Sequence, residues 1–275
     1  MATTKQGKRV LESREPQLVE MGPKLALVLK GNKSSETISQ LLCDLHRLTA
    51  SHSMLQSRRH QDLYPFDNAE GVCHLCSKWD APLMIVGSSS KKRPDNLIFV
   101  RLFAGEILDL AEFQVLSFKP ITSFPGLAPA AAQRPLLLFN GELFETDKEF
   151  ERIKNLCVDL FGGRSMKSVD VTGLEHVIAF SATAERQIHI RCYTLGKEQG
   201  ELKETGPRVT LALRRQKPAD EHRFQTSLKR PRPKPLQKNV GKGPMGERLG
   251  RIYTNPEDLN KLQLKKRRKL KESRD

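Results

Sequence analysis

Leu25-Ala-Leu-Val-Leu29, followed after Gly31-Asn32 by Ser34-Ser-Glu-Thr-Ile-Ser-Gln-Leu-Leu-Cys-Asp-Leu-His-Arg-Leu48, decides the fold class. The first segment is a short, wholly apolar run, as expected of a strand buried on both faces. In the second, Ile38, Leu41, Leu42, Leu45 and Leu48 recur at i, i+3, i+4, i+7 and i+10. That spacing makes one face of a helix, and Ser34 or Ser35 can cap its start. A strand followed directly by an amphipathic helix indicates an α/β chain. The same order begins again at Pro135–Phe139, where a strand precedes a helix with the stripe Phe150, Ile153, Cys157 and Leu160, closed by Gly162-Gly163. Thr146 and Glu149 have the spacing of a capping box for that helix.

Between the two units, a helix starting near Asp67 or Asn68 carries Val72, Leu75, Cys76 and Trp79, and strand signals follow at 83–86, 97–103 and 107–110. His52 to Pro65 reads as a polar, basic connection. Residues 120–134, rich in Pro and Ala, read as a linker. Three strands follow the second helix. In two of them Ile188, Ile190 and Cys192 alternate with His189, Arg191 and Tyr193, and Val209, Leu211 and Leu213 with Thr210, Ala212 and Arg214. Period-two alternation belongs to a half-buried antiparallel sheet. The expectation is an extended arm over 1–23 and an α/β body over 24–217, in two similar halves of about 24–120 and 134–217. A largely irregular basic tail over 218–275 completes it. Gly22-Pro-Lys-Leu-Ala-Leu-Val-Leu-Lys30 echoes Gly206-Pro-Arg-Val-Thr-Leu-Ala-Leu-Arg214, through either duplication or chance.

The chain has 275 residues and 47 Lys and Arg against 32 Asp and Glu. From Arg208 onward there are 21 basic and 7 acidic residues, so nearly all of the formal +15 sits in the last quarter. Such asymmetry points to a polyanionic partner. Lys229-Arg-Pro-Arg-Pro-Lys-Pro235 is too proline-rich for a helix or central strand. The glycines at 241, 243, 246 and 250 should keep the next stretch flexible, and Asn255-Pro-Glu-Asp258 starts a short basic helix near 256–270. No apolar run is long enough to span a membrane, and the polar N-terminus lacks a secretory pattern. Five scattered cysteines suit reduced thiols better than a disulfide framework.

Catalytic and metal signals are thin. Cys73-His-Leu-Cys76 has zinc-like spacing but no second pair, and Cys76 falls on an apolar stripe, so a core role is favoured. His176 and His189 have no activating Ser or Cys motif beside them. Glu142, Glu145, Asp147, Glu149 and Glu151 fit helix N-terminal electrostatics better than an acid/base site. Lys91-Lys-Arg-Pro94, on a loop between two buried strands, is different: three cations on one edge suit phosphate contacts.

Five segments, in chain order, resemble the Brix-domain family: Lys8-Arg-Val-Leu-Glu-Ser-Arg-Glu-Pro16, Gly87-Ser-Ser-Ser-Lys-Lys-Arg-Pro-Asp-Asn-Leu97, Val171-Thr-Gly-Leu-Glu-His-Val177, Gly206-Pro-Arg-Val-Thr-Leu-Ala-Leu-Arg-Arg215, and Gly250-Arg-Ile-Tyr253 with Asp258-Leu-Asn-Lys-Leu262. KKRP-x-N-L and GLE-x-V point to one branch of it. The short C-terminus and the Ala/Pro-rich segment at 124–135 depart from the better-known members. The resemblance implies two α/β halves, each like the anticodon-binding domain of some aminoacyl-tRNA synthetases. It implies a nucleolar assembly factor of the large (60S) ribosomal subunit, without catalysis or cofactor. Such a factor pairs with the regulator of ribosome synthesis protein and helps bring 5S rRNA and its two ribosomal proteins into the pre-60S particle, against pre-rRNA.

The expected RNA-binding residues are Lys91, Lys92 and Arg93 on the loop, and Arg230, Arg232, Lys234, Lys238, Lys242, Arg251, Lys265, Lys266, Arg267, Arg268 and Lys269 in the tail. The rival readings are another Brix-type factor contacting other pre-rRNA, a protein-interaction adaptor whose tail is only an import signal, and an RNA-modifying enzyme with a hidden site.

Overall fold

The computed structural model describes residues 24–60, 63–125, 134–163, 175–196, 201–228 and 238–254, with Thr4, Gln6, Gly7, Val10 and Pro256 singly; of Lys242 only the backbone is described. The chain divides into a first unit, residues 1–230, and a second, residues 231–275. Most of the expected arm, residues 126–133 of the expected linker, and residues 257–270 of the expected helix lie outside the described residues.

In the first unit, strand β1 (Ala26–Gly31) leads into helix α1 (Glu36–Leu48), whose Ile38, Leu41, Leu42, Leu45 and Leu48 are all buried. Each such side chain removed from water contributes about 1.5–3 kcal/mol before entropy is charged against it. Ser35 is the cap, its hydroxyl accepting from the Ile38 N–H at 3.2 Å. Then come β2 (Ser53–His60), α2 (Ala69–Trp79), β3 (Leu83–Ser88), β4 (Asn96–Phe103) and β5 (Glu106–Lys119). After a short 3-10 turn at Ile121–Ser123 follow β6 (Leu136–Asn140), α3 (Leu143–Thr146), α4 (Lys148–Phe161), β7 (His176–Ala182), β8 (Gln187–Leu195), β9 (Leu202–Lys217) and α5 (Glu221–Ser227).

All nine strands form one mixed sheet in the order β2-β1-β3-β4-β5-β9-β8-β7-β6. Outward from the central β5–β9 pair, the neighbours are antiparallel, antiparallel, then parallel in either direction. Helices α1 and α4 bury their stripes on one face, against Val28, Ile85, Phe99, Phe113, Phe180 and Ile190 among others. Helix α2 covers the opposite face over β1, β3 and β4, where Val72 and Cys76 meet Leu27, Met84 and Val100. Among the described residues no helix covers that second face over β6–β8. There Leu136 and Leu138 of edge strand β6 stand 41% and 47% exposed.

Four local expectations need correction. Residues 53–60, expected as a connection, are an edge strand parallel to β1. Its SMLQSRRH sequence is mostly polar because only one long side of an edge strand pairs and little of it is buried. Thr146 does not cap α4. It ends α3, donating its hydroxyl to the Glu142 carbonyl, while Asp147 caps α4 by accepting from the Glu149 N–H at 2.9 Å. The nine-residue echo joins β1, set between parallel neighbours, to β9, set between antiparallel ones, so the two segments do not occupy matching places. The glycine-rich stretch of the second unit pairs as a hairpin, β10 (Val240–Lys242) with β11 (Arg248–Gly250), turned by Gly246 at φ +83°.

The chain stays docked on the first unit past Lys217. The Ala219 N–H donates to Asp109 at 3.1 Å, and the Phe224 ring of α5 lies 4.3 Å beneath the Arg152 guanidinium. Asp109 is itself buried and paired with buried Arg101, which also donates to Asn155 and Asp159 of α4. This network fixes where the tail departs.

Candidate nucleic-acid interface

The expected basic loop joins β3 to β4 over residues 89–95. The Ser90 N–H donates to the Arg93 carbonyl at 3.0 Å and the Arg93 N–H to the Ser90 carbonyl at 3.2 Å, which turns the chain tightly and puts Lys91 and Lys92 at the tip. The loop base is tied down on two sides. The Ser89 N–H donates to the Lys33 carbonyl at 2.7 Å, and Ser35, the cap of α1, donates its hydroxyl to Asp95 at 2.5 Å. Asp95 takes φ +42°, a left-handed conformation that Asp tolerates better than most residues. Beneath the loop, Gly87 lets α1 sit close to β3: a Cβ there would come 2.5 Å from Ile38 Cγ2 and 2.8 Å from Leu42 Cδ1.

The three cations are not equivalent. Lys91 and Lys92 are exposed and in no ion pair among the described residues. Arg93 turns inward, its Nη1 donating to Glu112 Oε1 at 3.0 Å and Oε2 at 3.2 Å. Glu112 is buried and also accepts from Arg215 and, at 2.7 Å, from Asn96. A buried carboxylate holding three donors is satisfied, and it fixes Arg93 in place. Arg214 locks the loop from β9, donating to the Pro94 carbonyl at 3.1 Å and to Asn96 at 3.2 Å. Burial pulls the Arg214 guanidinium below its ordinary pKa, with Glu112 acting the other way. Arg214 and Arg215 were not among the expected site residues. The strand alternation set Arg214 on the polar side with Thr210 and Ala212, but nothing local tied it to a loop 120 residues away.

Loop, sheet and the segment before α2 enclose a cleft of about 520 Å³. Phe66, under the Arg215 guanidinium at 3.8 Å, lines it together with Lys33, Tyr64 and Lys92. Four cations and two carboxylates line it, and one of those carboxylates, Glu112, is already held by Arg93 and Arg215.

In the second unit, Lys238 and Arg251 flank the hairpin and are exposed. Arg248 of β11 is exposed as well and joins them, although the sequence reading passed over it. Lys242 lies in β10. Arg230, Arg232, Lys234 and Lys265 to Lys269 lie outside the described residues.

The other chemical candidates have structural places. Cys76 is buried beside Val72, and burial pushes its thiol up to about 12. Among the described residues no group of three or more His, Cys, Asp or Glu is arranged to hold a metal ion. His176 is buried, and burial pushes its pKa down to about 4, while His189 shares a 3.1 Å hydrogen bond with Thr210 on the next strand. Asp147 and Glu149 are ion-paired with Arg186. No helix among the described residues is long and apolar enough to cross a membrane.

Comparison with known proteins places this architecture. The family model described as Brix domain matches residues 31–215. The chain is 34% identical to the Ribosome production factor 2 homolog of Schizosaccharomyces pombe over 97% of this chain and 89% of that protein. It is 32% identical to the homolog of Drosophila melanogaster, over 98% and 87%, and 32% identical to that of Arabidopsis thaliana, over 95% and 87%. Among solved structures, a probable ribosomal biogenesis protein from Aeropyrum pernix overlaps at a TM-score of 0.44 with 13% identity, covering 69% of this chain and 96% of that one.

Proposed function

The chain belongs to the Brix-domain family, and from that premise we propose that it is a non-catalytic assembly factor of the large ribosomal subunit. In this reading it acts in the nucleolus, binds 5S rRNA and pre-rRNA, and helps bring the 5S particle, with its two ribosomal proteins, into the pre-60S particle. The observation that carries it is the near full-length match to proteins named for ribosome production, with 97% of this chain aligned in one case. The charge distribution supports an RNA partner: 14 Lys and Arg against 5 Asp and Glu over residues 231–275. Cations on an extended chain bind phosphates with a steep salt dependence. Lys91 and Lys92 on their fixed loop add contacts from the body, and the tail cations Arg230, Arg232, Lys234, Lys238, Lys242, Arg251 and Lys265 to Lys269 supply the rest.

A heterodimer partner, the regulator of ribosome synthesis protein, fits the sheet face over β6–β8. The same face is covered by α2 over β1, β3 and β4, whereas here Leu136 and Leu138 are left to solvent. Apolar side chains at an unpaired sheet edge favour burial against another chain.

The test is a salt titration of 5S rRNA binding by the full chain and by a chain ending at Arg230, each alone and with the partner. Loss of the tail should flatten the slope of log affinity against log salt by several units, at about 0.7–0.9 per cation. Equal slopes would leave the tail an address label. Absence of binding with the partner present would turn the reading toward a protein adaptor.

A further inference from the structure

We propose that the cleft beneath the Lys91-Lys92 loop takes one unstacked nucleotide of a bound RNA, with its base on Tyr64 and an adjoining phosphate on Lys33 and Lys92. This rests on the RNA-binding reading above and adds a base contact to it.

The cleft's volume of about 520 Å³ lies in the usual range for sites that enclose a small organic group. Its charged groups fall into two sets. Arg93 and Arg215 are both held by Glu112, so that part of the site is rigid and keeps a single net positive charge. Lys33 and Lys92 are exposed and in no ion pair among the described residues, so they are available to a phosphate. Ser88 and Ser90 also line the cleft.

The aromatics divide in the same way. Phe66 is already covered by Arg215 at 3.8 Å. Tyr64 is 56% exposed and lines the cleft, with no ring or cation partner among the described residues. Its backbone carbonyl is fixed by the Asp67 and Asn68 N–H groups at 3.0 and 2.8 Å, so the ring is presented from an ordered turn. A free aromatic beside free lysines matches a nucleotide better than a bare anion, which needs no ring. The bases of a duplex are stacked and paired and cannot enter. The ligand class is therefore an unpaired nucleotide in a loop, bulge or single strand, the form in which RNA bases are splayed onto aromatic side chains.

The experiment uses the full chain with two probes of equal length at one fixed salt concentration: a single-stranded oligonucleotide carrying 5-iodouridine, and an RNA duplex. The single strand should photo-cross-link at Tyr64. Tyr64→Ala should weaken single-strand binding about 5- to 150-fold, the range one base–aromatic stack gives, and leave duplex binding unchanged. Tyr64→Phe should restore it, which a role for the hydroxyl alone would not. If both probes bind and Tyr64→Ala changes neither, the cleft inference falls while RNA binding stands. If a phosphoserine peptide displaces the cross-link and the unlabelled single strand does not, the occupant is a protein segment and the inference is overturned. If neither RNA binds the full chain, the RNA-binding reading itself fails and takes this inference with it.

Discussion

Arg93, in the β3–β4 loop, and Glu112, on β5, stand 19 residues apart in the chain and 3.0 Å apart in space. The pairing separates two jobs inside one basic triplet: Arg93 shapes the loop, and Lys91 and Lys92 are left to face a ligand. Substitution should separate them too. Lys91→Gln with Lys92→Gln should leave the urea midpoint unchanged and lower the salt slope of RNA binding by about 0.7–0.9 per cation. Glu112→Gln should cost about 1–3 kcal/mol of stability, because a buried acceptor of charged donors loses its charge while Arg93 and Arg215 remain partly solvated. Equal effects of the two changes on stability would contradict this division.

The stripe Ile38, Leu41, Leu42, Leu45 and Leu48 was legible because its period is local, and all five are buried. β2 was not, since an edge strand with an SMLQSRRH sequence buries too little to leave a pattern. Asp147 displaced Thr146 as the cap because a four-residue helix ends at Thr146, and propensity alone does not reveal that neighbour. At the site, the KKRP loop could be read from composition. The roles of its residues depend on Glu112, Arg214 and Arg215, which only the β4–β5–β9 pairing brings near.

Gly87→Ala tests how closely α1 must approach the sheet. The added carbon would meet Ile38 and Leu42 well inside contact distance, and both side chains are packed in the core. An expected destabilisation of about 1–3 kcal/mol follows from overpacking. The loop base should loosen with it, because Ser35 at the head of α1 holds Asp95. Hydrogen exchange at 89–95 should rise in the variant, and an unchanged melting curve would contradict the packing argument.

Leu136→Arg with Leu138→Arg should leave the fold intact, since both side chains are already exposed. Co-purification with the heterodimer partner should fall sharply, while the salt slope of RNA binding by the chain alone stays the same. Retention of the partner at wild-type yield would move the docking surface elsewhere on the body.

Stability should fall as pH drops below the ordinary histidine range. Burial lowers the pKa of His176 from 6.5 to about 4, and it also lowers those of His46 and His60. Between pH 6.5 and 4 the unfolded chain therefore binds more protons than the folded one, and the stability of the fold rises with pH across that window. Asp44 acts in the opposite sense at the acid end. Burial raises its carboxyl above 3.8, so the folded chain takes up its proton first and gains stability there as pH falls. His176, moved from 6.5 to about 4, sets the sign of the change across this window. Urea midpoints measured at intervals from pH 7 to pH 4 should decline through this window, and His176→Asn should flatten the decline. A wild-type curve flat from pH 7 to 4 would mean that His176 is solvated, with its Nε2, which has no hydrogen-bond partner among the described residues, supplied by water.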